Sequence, residues 1–206
     1  MQEQRSVSHQ LDRATTDFRT GAPVGWRHVL WLTLLVASSV AFTISFACAV
    51  PFAAFGAVAA LTMSRRDALL LAAAVWLANQ LVGFTILDYP WTANSFAWGV
   101  ALGVVAVLAT LASQWSIRRL YGYNPVVVSL ASFLAAFVMY EGGLLIVAAT
   151  MLGGMEDFTL AIVTRILEIN AAAFVGLLML NQLAVAGGLA ARPAARLPVT
   201  EGHALR

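Results

Sequence analysis

Six apolar stretches, separated by short polar segments, follow one another along the chain. A helix needs about 20 apolar residues to cross a bilayer, and all of the stretches except the second approach that length. Pro51 stands before the second stretch, where it cannot donate a backbone hydrogen bond and biases Val50 away from a helical conformation. The pattern therefore predicts six transmembrane helices, the second of them short and preceded by a turn, at residues 28–46, 52–63, 68–86, 96–114, 126–151 and 158–183.

The composition assigns the chain to the integral membrane proteins. Hydrophobic residues make up 61% of the 206 residues and charged residues only 11%, which is more apolar material than a soluble domain of this size can enclose in a core. We expect an all-α, polytopic membrane domain over residues 27–185. Residues 1–26 are polar and of mixed charge, and residues 186–206 are rich in Ala, Gly, Pro and Arg, so both are expected to be partly disordered tails.

The arginines predict the orientation of the chain in the membrane. The sequence has 12 basic residues, all of them arginine. All except Arg165 lie before the first stretch, between the second and third, between the fourth and fifth, or after the sixth. The positive-inside rule places these segments and both termini in the cytosol. The net charge of +2 is then an orientation signal, and no nucleic-acid partner is predicted.

Polar residues interrupt the third, fifth and sixth stretches. A charged group near the bilayer centre costs at least ~2.5 kcal/mol, so such residues normally face a cavity or the interior of a helix bundle. Counting ~1.5 Å per residue puts them at a similar depth, ~10 to 15 Å below the outer face, with aromatic residues of the outer side above them. This arrangement predicts a solute-binding site that opens to the outside. Its predicted members are Asn79, Gln80, Tyr89, Trp91, Trp98, Glu141, Arg165, Glu168 and Asn170.

Structural explanations remain open for these residues. Arg165 and Glu168 lie three residues apart on one helical face, where they can pair, and such a pair can serve only to fix the register of a helix. Asn79 and Gln80 can form hydrogen bonds between helices. The tryptophans can belong to an interfacial aromatic belt.

The single cysteine, Cys48, falls in the turn before the short second helix. One cysteine excludes an internal disulfide, and the three histidines lie near the ends of the chain, so no histidine metal cluster is predicted. Ala37 and Ala41 form a small-xxx-small pair on the first helix, which allows another helix to approach closely. That helix can belong to this chain or to a partner protein.

These features resemble an S component, the substrate-binding membrane subunit of energy-coupling factor transporters, over residues 28–183. The resemblance rests on six spans with both ends inside, a small-residue motif in the first span, a shortened second helix after a Pro-containing outer loop, and polar groups in the outer loops and later spans. It implies capture of a vitamin or a trace metal. It also implies docking to an energy-coupling ATPase module at Ala37 and Ala41.

Cys48 makes the resemblance more specific, because it points to one family of S components. A thiolate is a soft ligand suited to cobalt inside a corrinoid, and a cysteine in the binding region of a solitary S component is similar to the cobalamin-specific BtuM family of Gram-negative bacteria. The resemblance implies cobalamin as the bound substrate, Cys48 as the ligand of its cobalt, no intrinsic cofactor, and a location in the bacterial inner membrane. Thiol-assisted decyanation of a bound corrinoid would be a side activity, and no enzyme class is predicted.

Two alternatives stay open. Another vitamin, such as thiamine, riboflavin or biotin, could stack on an aromatic side chain such as Trp91. A proton-coupled secondary transporter could use Glu141, Arg165 and Glu168 as a proton relay, although the sequence lacks the inverted repeats expected of such carriers.

Overall fold

The computed structural model describes residues 25–46 and 50–190, and this part of the chain forms six α-helices. A π-helical turn, Ala148–Leu152, extends the fifth helix, and a 3-10 turn, Met155–Asp157, precedes the sixth. Most of the two predicted tails and Cys48 lie outside the described residues. The helices are α1 (Trp26–Phe46), α2 (Phe52–Thr62), α3 (Arg65–Thr85), α4 (Ala93–Arg119), α5 (Pro125–Val147) and α6 (Leu160–Ala186).

Five of these helices are long and apolar enough to cross a membrane. The exception is α2, which has 11 residues. The prediction of an all-α, polytopic membrane protein with a short second helix is therefore confirmed.

Side-chain caps explain where the helices begin. Ser64 accepts a hydrogen bond from the backbone N–H of Asp67, so α3 begins at Arg65, one turn before the apolar stretch from which it was predicted. Thr92 and Thr159 cap α4 and α6 in the same way. Each cap satisfies one of the N–H groups that a helix leaves unpaired in its first turn. In α3 and α4 the first turn is therefore helical, although the hydrophobic pattern excluded it, whereas α6 begins at Leu160, two residues after the predicted start.

The short helix α2 lies at the centre of the bundle, where it packs against α3, α4, α5 and α6. Every residue from Phe52 to Ala59 is buried. Small side chains allow this packing, because a Cβ atom added at Gly56 would lie 2.8 Å from the hydroxyl of Thr110 and 3.4 Å from the backbone of that residue. At ~1.5 Å per residue α2 spans only about half of a ~30 Å hydrocarbon layer.

The loops divide the bundle into two ends. We call one the arginine end and the other the far end. The arginine end holds Arg65, Arg66, Arg118 and Arg119, and the far end holds Asp88 and Glu156. Because α2 leads directly into α3 at Arg65, it fills the half of the bundle nearer the arginine end. Correspondingly, no α6 residue from Leu160 to Ile169 is buried, and the buried face of α6 begins at Asn170.

Helix α1 packs mainly on α3. At the arginine end, His28 Nε2 lies 3.9 Å from a carboxylate oxygen of Asp67. Ala37 and Ala41 are exposed on the side of α1 that faces away from α3. The buried stripe of α1 consists of Trp31, Leu35, Ser39 and Thr43.

Candidate functional site

Helix α2 begins inside the bundle, so the N–H groups of its first turn need acceptors in an environment with little water. Asn170 of α6 supplies one, because its Oδ1 accepts a hydrogen bond from the backbone N–H of Ala54 at 3.2 Å. The Nδ2 group of Asn170 donates to the carbonyl of Ile166 at 3.0 Å, which fixes the amide orientation. Asn170 is 1% exposed. This predicted site residue is therefore a cap for the central helix, supplied by another helix.

Glu141 of α5 is buried close to the same point. The preceding residue, Tyr140, packs against Phe52, the first residue of α2, with ring centroids 5.9 Å apart. Glu141 is 8% exposed, and its Oε1 atom has no hydrogen-bond partner within the described part of the chain. Glu141 and Asn170 both lie about 16 residues from the arginine ends of their helices, or ~24 Å along the axis. The carboxylate, the amide and the start of α2 thus share one level.

A buried acceptor without a partner is unusual. Most buried polar atoms in proteins have a hydrogen-bond partner, and the exceptions call for an explanation such as a ligand, an ion or a water molecule. The N-terminus of a helix carries a partial positive charge, and a carboxylate carries a negative one. The level at which α2 begins therefore holds both a buried acceptor and a region of positive potential.

Arg165 and Glu168 do not take part in this arrangement. Both side chains are exposed, and they lie on the side of α6 opposite the buried Asn170. No ion pair within 4.0 Å joins them, since the described residues form a salt bridge only between His28 and Asp67. The expectations that the two charges face the interior and that they pair are wrong. Arg165 and Glu168 lie about one and a half and two turns from the far end of α6, close enough for long side chains to reach the polar surface of the membrane.

Asn79 forms a polar contact between α1 and α3. Its Nδ2 donates to Ser39 Oγ at 3.2 Å and to the carbonyl of Val75 at 2.7 Å, and Thr43 donates its hydroxyl proton to Asn79 Oδ1. All three α1 and α3 side chains of this cluster are buried. The structural explanation left open for Asn79, a hydrogen bond between helices, is the one that the structure supports.

We expect Asn79→Leu to lower the free energy of unfolding by about 1 kcal/mol, because hydrogen bonds between membrane helices contribute roughly that much. The measurement is unfolding of the purified chain in mixed detergent micelles. Gln80→Leu is the matched control, since the adjacent Gln80 is half-buried and makes no side-chain hydrogen bond within residues 25–46 and 50–190. An equal loss for both variants would show that the contact with α1 does not contribute.

The aromatic residues predicted to cover the site from the outer side, as a lid, lie in two different places. Trp91 is exposed and packs on Phe84 and Phe96, with centroid distances of 5.3 and 5.8 Å. Tyr89 also packs on Phe84, at 5.9 Å. Trp98 instead is half-buried and contacts the core. The predicted residues therefore do not form a single lid.

Gln80 and Trp91 do share a second location. They line an apolar groove of about 350 Å³ on the outer surface of α3 and α4, together with Trp76 and Phe96. Trp76 Nε1 donates to the carbonyl of Gly99 at 2.7 Å, which holds the indole across the groove. This groove lies away from Asn170 and Glu141, so the predicted site residues fall into at least two groups.

The structure leaves the predicted role of Cys48 untested. Cys48 lies outside the described residues, so its proposed role as a cobalt ligand stays a prediction. Among the residues that the structure describes, no group of three or more His, Cys, Asp or Glu side chains could hold a metal ion. The sequence analysis missed Tyr140 and Phe52, which pack against each other at the start of α2. Their positions next to Glu141 and to the helix-breaking Pro51 were the signals that could have identified them.

Comparisons with protein-family models, with curated proteins and with solved structures give no match to this chain. What the fold defines is the class: a polytopic α-helical membrane protein with a short helix at the centre of the bundle.

Proposed function

We propose that this protein is a membrane transport protein that binds a small polar solute from the far end of the bundle, at the level where α2 begins. The observation that supports this most directly is the buried carboxylate of Glu141, whose Oε1 atom lacks a partner. Intramembrane ionisable residues are expensive to bury and commonly mark the path or binding site of a solute. Discontinuous or half-length helices that end near the bilayer midplane are typical of such sites.

The packing of the far half supports an approach from that side. Helix α2 fills only the half nearer the arginine end, and α6 buries no residue between Leu160 and Ile169. A solute entering from the far end would meet the Glu141 acceptor and the N-terminal turn of α2, capped by Asn170. A solute that carries a hydrogen-bond donor together with a negative group would satisfy both.

The finer proposal is that the protein is an S component for vitamin uptake and that the vitamin is cobalamin. It rests on the resemblance described above and on Cys48, which directly precedes the segment leading into α2. The exposed Ala37 and Ala41 lie on the side of α1 that is free of intramolecular packing, where a coupling subunit could approach. In this proposal, Glu141 binds the polar periphery of the corrinoid while the Cys48 thiolate ligates cobalt.

The test is the visible absorption spectrum of the full chain purified from cells supplied with cobalamin. We expect bound corrinoid in the wild-type protein, and at least about a tenfold loss of affinity in Glu141→Leu, since hydrogen bonds to charged groups contribute ~1.5 to 3 kcal/mol. Glu168→Leu is the matched control, because it removes a carboxylate from the exposed side of α6 and should leave affinity within about twofold. Cys48→Ser should shift the corrinoid absorption bands if the thiolate is a cobalt ligand.

Three outcomes distinguish between cobalamin, another vitamin and a proton-coupled solute. A colourless wild-type protein would exclude cobalamin, and thermal-shift titration with thiamine, riboflavin and biotin would then test the broader vitamin proposal. Binding that is lost equally in Glu141→Leu and Glu168→Leu would exclude a site at the start of α2. Uptake that depends on a proton gradient and needs no ATPase partner would favour a secondary transporter, with Glu141 as the proton-carrying group and without the exposed Arg165 and Glu168.

A further inference from the structure

A polar cavity lies at the arginine end, the opposite end of the bundle from Glu141. It has a volume of about 150 Å³ and is formed where α2 ends, α3 begins and α4 ends. We call it the arginine-end cavity. It is lined by Ala60, Met63, Arg65, Gln114, Ile117 and Arg118.

Gln114 gives this cavity a buried polar group without a partner. The side chain is 8% exposed, and its Oε1 atom has no hydrogen-bond partner within the described residues. Its Nε2 group donates to the backbone carbonyl of Arg65 at 3.5 Å. Exchanging the amide oxygen and nitrogen would set two oxygen atoms against each other, so Oε1 is the atom turned away from the Arg65 carbonyl, in a side chain that lines the cavity. A buried acceptor normally has a donor, and no group within the described residues supplies one to Oε1.

Two guanidinium groups supply positive charge at the same cavity. Arg118 Nε donates to the carbonyl of Gln114 at 3.3 Å, which leaves both terminal Nη groups without a protein partner in the described part. Arg65 likewise makes no side-chain hydrogen bond there, and neither arginine has a carboxylate within 4.0 Å among the described residues. The N-terminus of α3 adds partial positive charge. The cavity thus combines two unpaired cations with one buried acceptor.

We propose that the arginine-end cavity binds a phosphate ester that also carries a hydroxyl group. The phosphate would accept hydrogen bonds from Arg65 and Arg118, and the hydroxyl would donate to Gln114 Oε1. Ala60, Met63 and Ile117 provide an apolar wall for the carbon atoms that join the two groups.

The position of the cavity favours a membrane lipid as the source of this group. It lies at the arginine ends of the spanning helices α3 and α4, beside the end of α2, where phospholipid headgroups are expected, and basic pockets between helix ends commonly bind anionic headgroups there. A phosphatidylglycerol headgroup has both the phosphodiester and the hydroxyl. A soluble ester such as glycerol 1-phosphate also has a phosphate and hydroxyl groups but no acyl chains, so the experiment includes both ligands.

The first arm of the test compares two adjacent arginines. Native mass spectrometry of the full chain in detergent measures binding of phosphatidylglycerol to wild type, Arg118→Gln and Arg119→Gln. Both variants lose one positive charge, but the Arg119 guanidinium lies 5.2 Å from the ring of Trp115 and is not part of the cavity. We expect Arg118→Gln to lower affinity about tenfold or more and Arg119→Gln to lower it by no more than about threefold. Equal losses would overturn the proposal, because they would indicate only diffuse attraction to positive charge.

The second arm tests the hydroxyl. Phosphatidylmethanol has the same charge as phosphatidylglycerol and lacks the headgroup hydroxyls. We expect wild type to prefer phosphatidylglycerol by about three- to tenfold, the value of one hydrogen bond, and Gln114→Met to lose that preference while remaining folded by circular dichroism. A preference that persists in Gln114→Met, or its absence in wild type, would overturn the role of Gln114.

The third arm identifies the source. Glycerol 1-phosphate titrated into the delipidated chain by calorimetry should bind only weakly and should not displace phosphatidylglycerol if the occupant is a lipid. Binding of glycerol 1-phosphate that competes with the lipid and is lost in Arg118→Gln would support the same phosphate site with a soluble occupant. Failure of both ligands to distinguish Arg118→Gln from Arg119→Gln would overturn the site altogether.

Discussion

Gly56→Val is expected to prevent α2 from packing at the centre of the bundle and to lower the free energy of unfolding by at least ~3 kcal/mol, at the upper end of overpacking effects. A Cβ atom at this position would lie 2.8 Å from Thr110 Oγ1 and 3.4 Å from the Thr110 backbone. Valine adds two more methyl groups at the same contact. The side chain of Thr110 cannot yield alone, because the α4 backbone stands directly behind it. Detergent unfolding and the fraction of monodisperse protein measure the effect.

Two comparisons make this result specific to the α2–α4 contact. Gly176→Val introduces the same side chain at an exposed position of α6 where no heavy atom lies within 4 Å of the added Cβ, so we expect a change of no more than about 0.5 kcal/mol. Gly56→Ala should be milder than Gly56→Val, and adding Thr110→Ala should restore part of the loss by removing the closest atom. If Gly56→Val unfolds like wild type, α2 does not approach α4 as closely as described.

Asn170→Leu is expected to destabilise the protein by about 2 kcal/mol, because it leaves the N–H group of Ala54 buried without an acceptor. Asn170 Oδ1 accepts that hydrogen bond at 3.2 Å, and no residue preceding Ala54 in α2 provides a side-chain cap. The same change should weaken binding of the solute proposed above, since the first turn of α2 would lose its fixed position. Unfolding in mixed micelles measures stability, and the cobalamin or vitamin titration measures binding.

Asn181→Leu is the matched control for Asn170→Leu. Asn181 lies on the same helix and is 4% exposed, but it makes no side-chain hydrogen bond within the described part of the chain. Replacing it with leucine should therefore be neutral or slightly stabilising in an apolar environment. A loss for Asn181→Leu as large as that for Asn170→Leu would mean that polarity of α6, and not the cap on α2, determines the effect.

Residues in the two halves of the bundle have different roles. Near the arginine end, α2 supplies a dense core of small residues, and Asn170 and Gly56 both serve its placement. Toward the far end, α2 is absent, and Glu141 retains an acceptor without a partner. Stability and proposed binding thus depend on neighbouring layers of one structure, which is why Asn170→Leu should affect both and Gly176→Val neither.

Only part of the candidate site could be predicted from the sequence. Glu141, Arg165 and Glu168 show the reason. Each of these charged residues interrupts an apolar stretch, and the free-energy cost of exposing a charge to lipid predicted that all three face the interior of the bundle. Depth along the helix could be counted, and Glu141 and Asn170 do lie at one level and are buried. The side of the helix on which each residue lies could not be predicted, because membrane helices are apolar on the face toward lipid as well as on the buried face. Arg165 and Glu168 consequently have the opposite orientation to the one expected.

The amino-acid sequence by itself determined the class of this protein, the number of helices and the shortness of the second one. It could do so because apolar length and the helix-breaking effect of Pro51 act locally and need no partner. Only the tertiary structure decided that α2 is central, that Asn170 caps it, that Asn79 joins α1 to α3 and that Gln114 faces a basic cavity. Those facts depend on which helices meet, and side chains distant in sequence, such as Ala54 and Asn170, acquire their roles only when packing brings them together.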